Sequence, residues 1–169
     1  CPKEEDLIIA ADGGYHNAKK MGVTPQILLG DFDSLGKNER IPEEIEVLQV
    51  PAEKDDTDTM LAVRRGLSLG YREFLIYGSL DGSRLDHTVA NFQTLQFLCD
   101  HGAYGYLIGK DYIVTAVKNS TLHFSKASTG IFSVFCMGSD AEGVTIQGGK
   151  YDAKNVTLRA GFPLGVSNH

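Results

Sequence analysis

Short apolar runs alternate with segments of helical period between residue 7 and about residue 110. The runs are mostly bounded by Gly, Pro or charged residues and lie at 7–11, 27–29, 47–50, 74–77 and 106–108. Continuous apolar runs of this length are typical of parallel strands that are buried on both faces. The pattern therefore predicts an N-terminal α/β part, with a mostly parallel sheet flanked by helices.

Two of the intervening segments place apolar or small residues on one helical face. The predicted faces consist of Met60, Val63 and Leu67 in one segment and of Val89, Phe92, Gln96 and Cys99 in the next. Gly70 and Gly102 follow these segments and indicate where the helices end, because Gly is favoured just past a helix C-terminus.

After Asp111 the helical period disappears, and β-like runs lie at 112–118, 121–125, 130–138, 143–149 and 156–160. Polar and Gly-rich turns separate these runs, which predicts a C-terminal antiparallel β-sandwich domain. The expected domains are residues 1–110 and residues 111–169. The closing segment "GFPLGVSNH" shows no strand of its own, so we expect a further C-terminal stretch.

Composition narrows the classes of partner. Acidic residues outnumber basic ones, 22 to 16, and Lys and Arg are scattered, which argues against binding to nucleic acid or an anionic membrane. The three cysteines fit neither a disulfide framework nor a CxxC zinc site, so we expect a reduced, cytoplasmic protein. The chain begins with Cys1 rather than Met, which leaves a removed upstream targeting segment open.

Acidic residues follow four of the predicted strands: Asp12; Asp31 and Asp33; Asp55, Asp56 and Asp58; and Asp86, with Arg84 beside it. Loops that follow parallel strands gather at one edge of the sheet, where ligands of open α/β folds bind. Two carboxylates about 4 Å apart repel by roughly 4 kcal/mol at an effective dielectric near 20, so convergence requires a cation. Oxygen ligands alone favour Mg²⁺ shared with substrate phosphates. Phe32 would turn to the core between Asp31 and Asp33.

Each of these features also has a simpler explanation. Asp31 and Asp33 could form a solvated turn. One residue of 55–58 is expected to cap a helix that begins near Thr59. Arg84 and Asp86 could be a surface ion pair. Gly13 and Gly14 either shape a helix start or leave backbone NH groups open to phosphate. Lys54 is either solvated or a phosphate contact, and His87 is either a neighbour of a helix cap or a substrate contact.

Five motifs in order resemble those of the thiamine pyrophosphokinase family: "ADGG" (11–14), "GDFDS" (30–34), "KDDTD" (54–58), "GSRLDHTVAN" (82–91) and "GVSN" (165–168). The resemblance implies a homodimer with its site between subunits. It would transfer the pyrophosphoryl group of ATP to the hydroxyl of thiamine, giving thiamine diphosphate and AMP. It also implies that Asp31, Asp33 and Asp58 hold Mg²⁺ and that Arg84 and Asp86 line the site.

The residues and the resemblance together give the remaining expected contacts. The residues expected to bind nucleotide or thiamine are Asp12, Gly13, Gly14, Ser34, Lys54, Asp55, Asp56, Thr57, Gly82, Ser83, His87, Tyr151, Ser167 and Asn168. This chain departs from the family pattern at Ser83, where Gly is common, at Tyr151, where Trp is common, and at His169, where an acid is common.

The sequence is also compatible with two other functions. Asp-x-Asp after a strand also opens the site of haloacid-dehalogenase-type phosphatases, in which Asp31 would be the nucleophile. The catalytic Lys loop that such an enzyme needs is not recognisable in the sequence. The second rival is a non-catalytic thiamine or nucleotide sensor, which is disfavoured because every expected metal-site acid is present.

Overall fold

The structure is a computed structural model that describes residues 2–3, 5–32, 39–51, 53 and 55–169. Three predicted site residues, Asp33, Ser34 and Lys54, lie outside the described residues. The chain separates into two compact units, residues 1–121 and 122–169. The functional division after residue 110 remains a prediction, and residues 111–121 lie within the first unit.

The first unit is a mixed α/β structure that contains all five predicted strands. Its strands are β1 (Ile9–Ala11), β2 (Ile27–Gly30), β3 (Glu46–Gln49), β4 (Glu73–Tyr77), β5 (Tyr104–Ile108) and β6 (Ile113–Thr115). Its helices within the described residues are α1 (Gly14–Lys20), α2 (Asp58–Ser68) and α3 (Leu85–Asp100). None of these helices is long and apolar enough to cross a membrane.

The strands form two three-stranded sheets in the described part of the chain, ordered β1-β2-β3 and β4-β5-β6. Strands β1, β2 and β3 pair in parallel, as do β4 and β5, whereas β6 returns antiparallel to β5. The predicted parallel pairing is therefore confirmed within each group. The two groups do not pair through their described residues, so the expectation of a single sheet is confirmed only in part.

The predicted face of α2 is confirmed, but that of α3 is wrong. Val63 is buried in α2, and Leu67 packs against the same apolar cluster. In α3 the buried residues are instead Asn91, Thr94, Leu95 and Leu98. Val89, which the sequence placed on the buried face, is 48% exposed. The α3 side that lies against β5 is centred on Leu95 and Leu98, which closely approach Gly105.

The second unit consists of short antiparallel pairs. Its strands are β7 (Phe132–Val134), β8 (Ala141–Ile146), β9 (Ala153–Leu158) and β10 (Gly165–Asn168), and they pair as β7 with β10 and β8 with β9. The predicted strand at 121–125 is wrong, because that segment is exposed and contains no strand. The expectation that 161–169 lacks a strand is also wrong, since β10 lies there and pairs with β7.

Candidate active site

A pocket of about 150 Å³ in the first unit brings three of the predicted segments together. It is lined by the end of β1 and by the starts of α1, α2 and α3. The lining residues are Ala11, Asp12, Gly13, Thr57, Asp58, Thr59, His87 and Asn91. Acidic residues that lie far apart in the sequence thus share one cavity.

The ends of β1 and β2 approach closely beside this pocket. The Asp12 NH donates a 2.7 Å hydrogen bond to the Leu29 carbonyl. A Cβ atom added at Gly30 would lie 3.1 Å from the Asp12 Cα, so glycine permits this approach. Asp31 follows immediately, which puts the start of the "GDFDS" motif next to Asp12.

The prediction that Phe32 turns to the core is confirmed, but the strand does not continue through it. Phe32 packs against the apolar cluster that includes Ala10, Tyr15 and Leu28. Its φ is +64°, so the backbone turns here and does not continue as an extended strand. Asp31 is therefore followed by a turn at Phe32, and Asp33 lies outside the described residues.

A left-handed residue also precedes α1. The helix begins at Gly14, as the sequence predicts, with Gly13 in a right-handed conformation at its N-cap. The residue with positive φ is Asp12, at +44°. The two glycines are therefore not required by a left-handed backbone, so that explanation of the pair is not supported here.

The side chains of the "KDDTD" segment make different contacts. Thr57 caps α2, with its Oγ1 accepting a 3.2 Å hydrogen bond from the Met60 NH. Asp56 pairs with Arg64, with 3.1 Å between Oδ2 and Nε. Asp55 is exposed, and Asp58 lies in the first turn of α2 and lines the pocket. The predicted cap is confirmed at Thr57, so Asp58 is not the capping residue.

Arg84 and Asp86 form a bidentate surface ion pair at the start of α3. Arg84 donates from Nε to Oδ1 of Asp86 at 3.2 Å, and a second nitrogen lies 2.5 Å from Oδ2. This pairing is the main cause that lowers the pKa of Asp86 to about 2. Both side chains are exposed, as are Gly82 and Ser83. The structure therefore shows Arg84 and Asp86 as a surface ion pair, which is the simpler of the two explanations given above.

Asn91 is a candidate site residue that the sequence analysis did not single out. It lines the pocket, is 6% exposed, and donates a 2.9 Å hydrogen bond from Nδ2 to the Ser79 carbonyl. This bond ties α3 to the loop that leads from β4 to Arg84. The available signal was its position four residues after His87, which places both on one side of α3.

The oxygen donors near the pocket fit a hard cation such as Mg²⁺. The described residues contain no group of three or more His, Cys, Asp or Glu side chains close enough to hold a metal ion. The third expected ligand, Asp33, lies outside the described residues. Asp31 and Asp58 are the described residues that could contribute.

The second unit joins the two predicted thiamine-binding motifs. Asn168 is 5% exposed and hydrogen-bonds both backbone groups of Tyr151. The Tyr151 ring is 60% exposed, and the Lys150 ammonium lies 5.4 Å from its centroid. The Ser167 NH donates to Ser133 Oγ at 3.1 Å. Residues 149–151 and 167–168 therefore form one local structure.

Comparisons with known proteins agree with these two regions. Residues 2–104 match the family model described as thiamin pyrophosphokinase, catalytic domain, and residues 119–169 match thiamin pyrophosphokinase, vitamin B1 binding domain. The chain is 30% identical to the thiamine pyrophosphokinase of Bacillus subtilis (strain 168), over 98% of this chain and 78% of that protein.

Solved structures give the same result. The crystal structure of the Bacillus subtilis thiamine pyrophosphokinase has a TM-score of 0.86 and 27% identity, over 99% of this chain and 80% of that one. A thiamin pyrophosphokinase family protein from Enterococcus faecalis has a TM-score of 0.71 and 26% identity, over 97% and 79%. The chain belongs to the thiamine pyrophosphokinase family, a membership that implies ATP-dependent formation of thiamine diphosphate.

We expect Asn91→Ala to loosen the loop that carries Arg84. Losing one buried hydrogen bond costs about 1 kcal/mol, which corresponds to roughly fivefold faster cleavage by trypsin after Arg84 if cleavage follows local opening. Cleavage after Arg159, in the second unit, is the internal reference. Thr94→Val is the matched control, because it removes a partly buried side-chain bond to the Ala90 carbonyl within α3. An unchanged rate after Arg84 would contradict the role of Asn91.

We expect Asp86 to titrate far below its ordinary range in the protein without ligand. Its pKa of about 2 lies below the ordinary 3.8, so the ion pair is complete above about pH 4 and is lost as the pH falls through about 2. In Arg84→Gln the pKa should rise towards the ordinary value. Carbon-13 NMR of the carboxyl group measures both titrations, and equal midpoints would show that Arg84 is not the cause.

Proposed function

We propose that this chain transfers the pyrophosphoryl group of ATP directly to the hydroxyl of thiamine, with Mg²⁺ as cofactor. The observation that carries the proposal is the first-unit pocket, in which Asp12, Asp58 and the start of α3 meet beside the ends of β1 and β2. The substrates are inferred from membership of the family. The hydroxyl oxygen bonds to the β-phosphorus and its proton is released to solvent, while the bond from that phosphorus to the α,β-bridging oxygen breaks and AMP leaves with that oxygen.

Asp31, Asp33 and Asp58 would hold Mg²⁺ in this proposal. The bound ion supplies neutralisation of the triphosphate charge, which transfer of this kind needs more than covalent catalysis. Asp58 supports the assignment because it lines the pocket while Thr57 caps the helix. Asp86 is a poor acceptor for the hydroxyl proton, because pairing with Arg84 lowers its pKa to about 2.

The residues proposed to contact phosphate lie at the starts of the three helices. Backbone NH groups at Gly13 and Gly14 can bind anions, as helix N-termini commonly do. Arg84 has a planar guanidinium that suits two phosphate oxygens, which would replace the carboxylate of Asp86. The remaining proposed nucleotide contacts are Asp12, Ser34, Lys54, Asp55, Asp56, Thr57, Gly82, Ser83 and His87.

Thiamine would bind to the second unit through Tyr151 and Ser167, beside Asn168. The exposed ring of Tyr151 suits the cationic thiazolium ring, because it already attracts one cation, the Lys150 ammonium, which thiamine would displace. We further propose that residues 111–169 form the β-sandwich thiamine-binding and dimerisation domain, that 1–110 are catalytic, and that the enzyme is a cytoplasmic homodimer. Exposed apolar residues within 111–169, such as Ile131, Phe135 and Phe162, support self-association of that domain.

The decisive assay is incubation of the purified chain with ATP, Mg²⁺ and thiamine, followed by separation of the products. Stoichiometric AMP and thiamine diphosphate would support the proposal. ADP or free phosphate in their place would exclude direct pyrophosphoryl transfer, and free phosphate would favour the phosphatase alternative. A phosphoryl mimic such as beryllium fluoride would then test for covalent chemistry at Asp31.

We expect two aspartates of the first unit to differ sharply in this assay. Asp58→Asn should lower kcat by about 100-fold or more, because it removes a ligand of the Mg²⁺ that would neutralise the triphosphate. Asp100→Asn should change kcat by less than about fivefold, since it breaks a surface ion pair with Lys118 at the far end of α3. Steady-state kinetics at saturating Mg²⁺ measure both, with far-UV circular dichroism as the folding control. Equal losses would remove the distinction between the two residues.

A further inference from the structure

The side-chain amide of Asn168 is occupied by backbone hydrogen bonds. Its Oδ1 accepts from the NH groups of Tyr151 and His169, each at 3.0 Å, and its Nδ2 donates to the Tyr151 carbonyl at 2.8 Å. The residue is 5% exposed. We call these three bonds the Asn168 clamp.

The turn that the clamp holds is built to fit it. A Cβ atom added at Gly149 would lie 2.8 Å from Oδ1 and 3.0 Å from Nδ2 of Asn168, so a larger residue would displace the amide. The Gly149 NH also donates to Asp152 Oδ1 at 3.2 Å, and the Lys150 NH donates to the His169 carbonyl at 2.5 Å. The backbone of residues 149–152 is therefore held at several points.

We propose that Asn168 is a positioning residue: it fixes the backbone of Tyr151 so that the exposed Tyr151 ring is presented to substrate, and its own amide does not contact thiamine. The proposal rests on the proposed function, in which Tyr151 is the aromatic contact. The physical reason is preorganisation, because a ring on an ordered turn loses less conformational freedom when a ligand binds. The clamp thus revises the role expected for Asn168 from binding to positioning.

The chain contains no tryptophan, so Tyr151→Trp creates a single fluorescent reporter at the clamped position. In this background we expect Asn168→Ala, which removes all three bonds, to lower the tryptophan anisotropy in the absence of substrate. Asn168→Asp keeps the acceptor and loses the donor, so its anisotropy should be intermediate. Gly149→Ala should lower the anisotropy by displacing the amide while leaving Asn168 in place.

A double-mutant cycle makes the test specific for the clamp. If Gly149→Ala acts by displacing the amide, it should have little further effect once Asn168 is alanine, so the two changes should be strongly non-additive. Asp140→Ala is the matched control, because it removes a side-chain bond to the Ala160 NH elsewhere in the same unit. That control should leave the anisotropy unchanged.

Kinetics then separate positioning from general stability. With Tyr151 intact, Asn168→Asp and Gly149→Ala should raise the KM for thiamine about tenfold while the KM for ATP stays within about twofold. Equal changes in both KM values, or an anisotropy that is unchanged in Asn168→Asp and Gly149→Ala, would overturn the proposal even if Asn168→Ala fails to fold. If the anisotropy falls as expected but no variant makes thiamine diphosphate, the clamp stands and the proposed function fails.

Discussion

The close approach of two strand ends determines where the candidate site of the first unit can form. Because β1 and β2 are parallel, both chains leave the sheet at the same edge. The hydrogen bond from Asp12 to Leu29 and the lack of a side chain at Gly30 bring these exits into contact. The helices α2 and α3 begin beside the same pocket. A bulkier residue at position 30 would therefore disturb the whole arrangement, although position 30 lines no part of the pocket itself.

Both units use a buried asparagine to hold a loop by its backbone. Asn91 binds the carbonyl of Ser79, and Asn168 binds both backbone groups of Tyr151. A primary amide suits this task because it has a donor and an acceptor at fixed separation, as a peptide group does. Burial strengthens such bonds and makes their loss costly. These two loops are thus each held by a single polar side chain.

The sequence was sufficient where local chemistry decides the structure. The apolar runs predicted the positions of β1 to β5. Capping preferences predicted where α2 begins and where it ends. It was insufficient where tertiary contacts decide. The buried face of α3 contains Asn91 and Thr94, so a search for apolar residues chose the wrong side. Strand β10 depends on pairing with β7, and the turn at Phe32 depends on packing against the core. Neither contact leaves a periodic pattern.

The exposed pair of Arg84 and Asp86 has a consequence for the selection of ligands. Asp86 is an anion tethered to the same loop, so its effective concentration at the guanidinium is high. Any anion that approaches Arg84 must compete with this carboxylate, so one with several oxygens and more charge, such as a polyphosphate, would have the advantage. The carboxylate thus acts as an internal competitor for anions at Arg84.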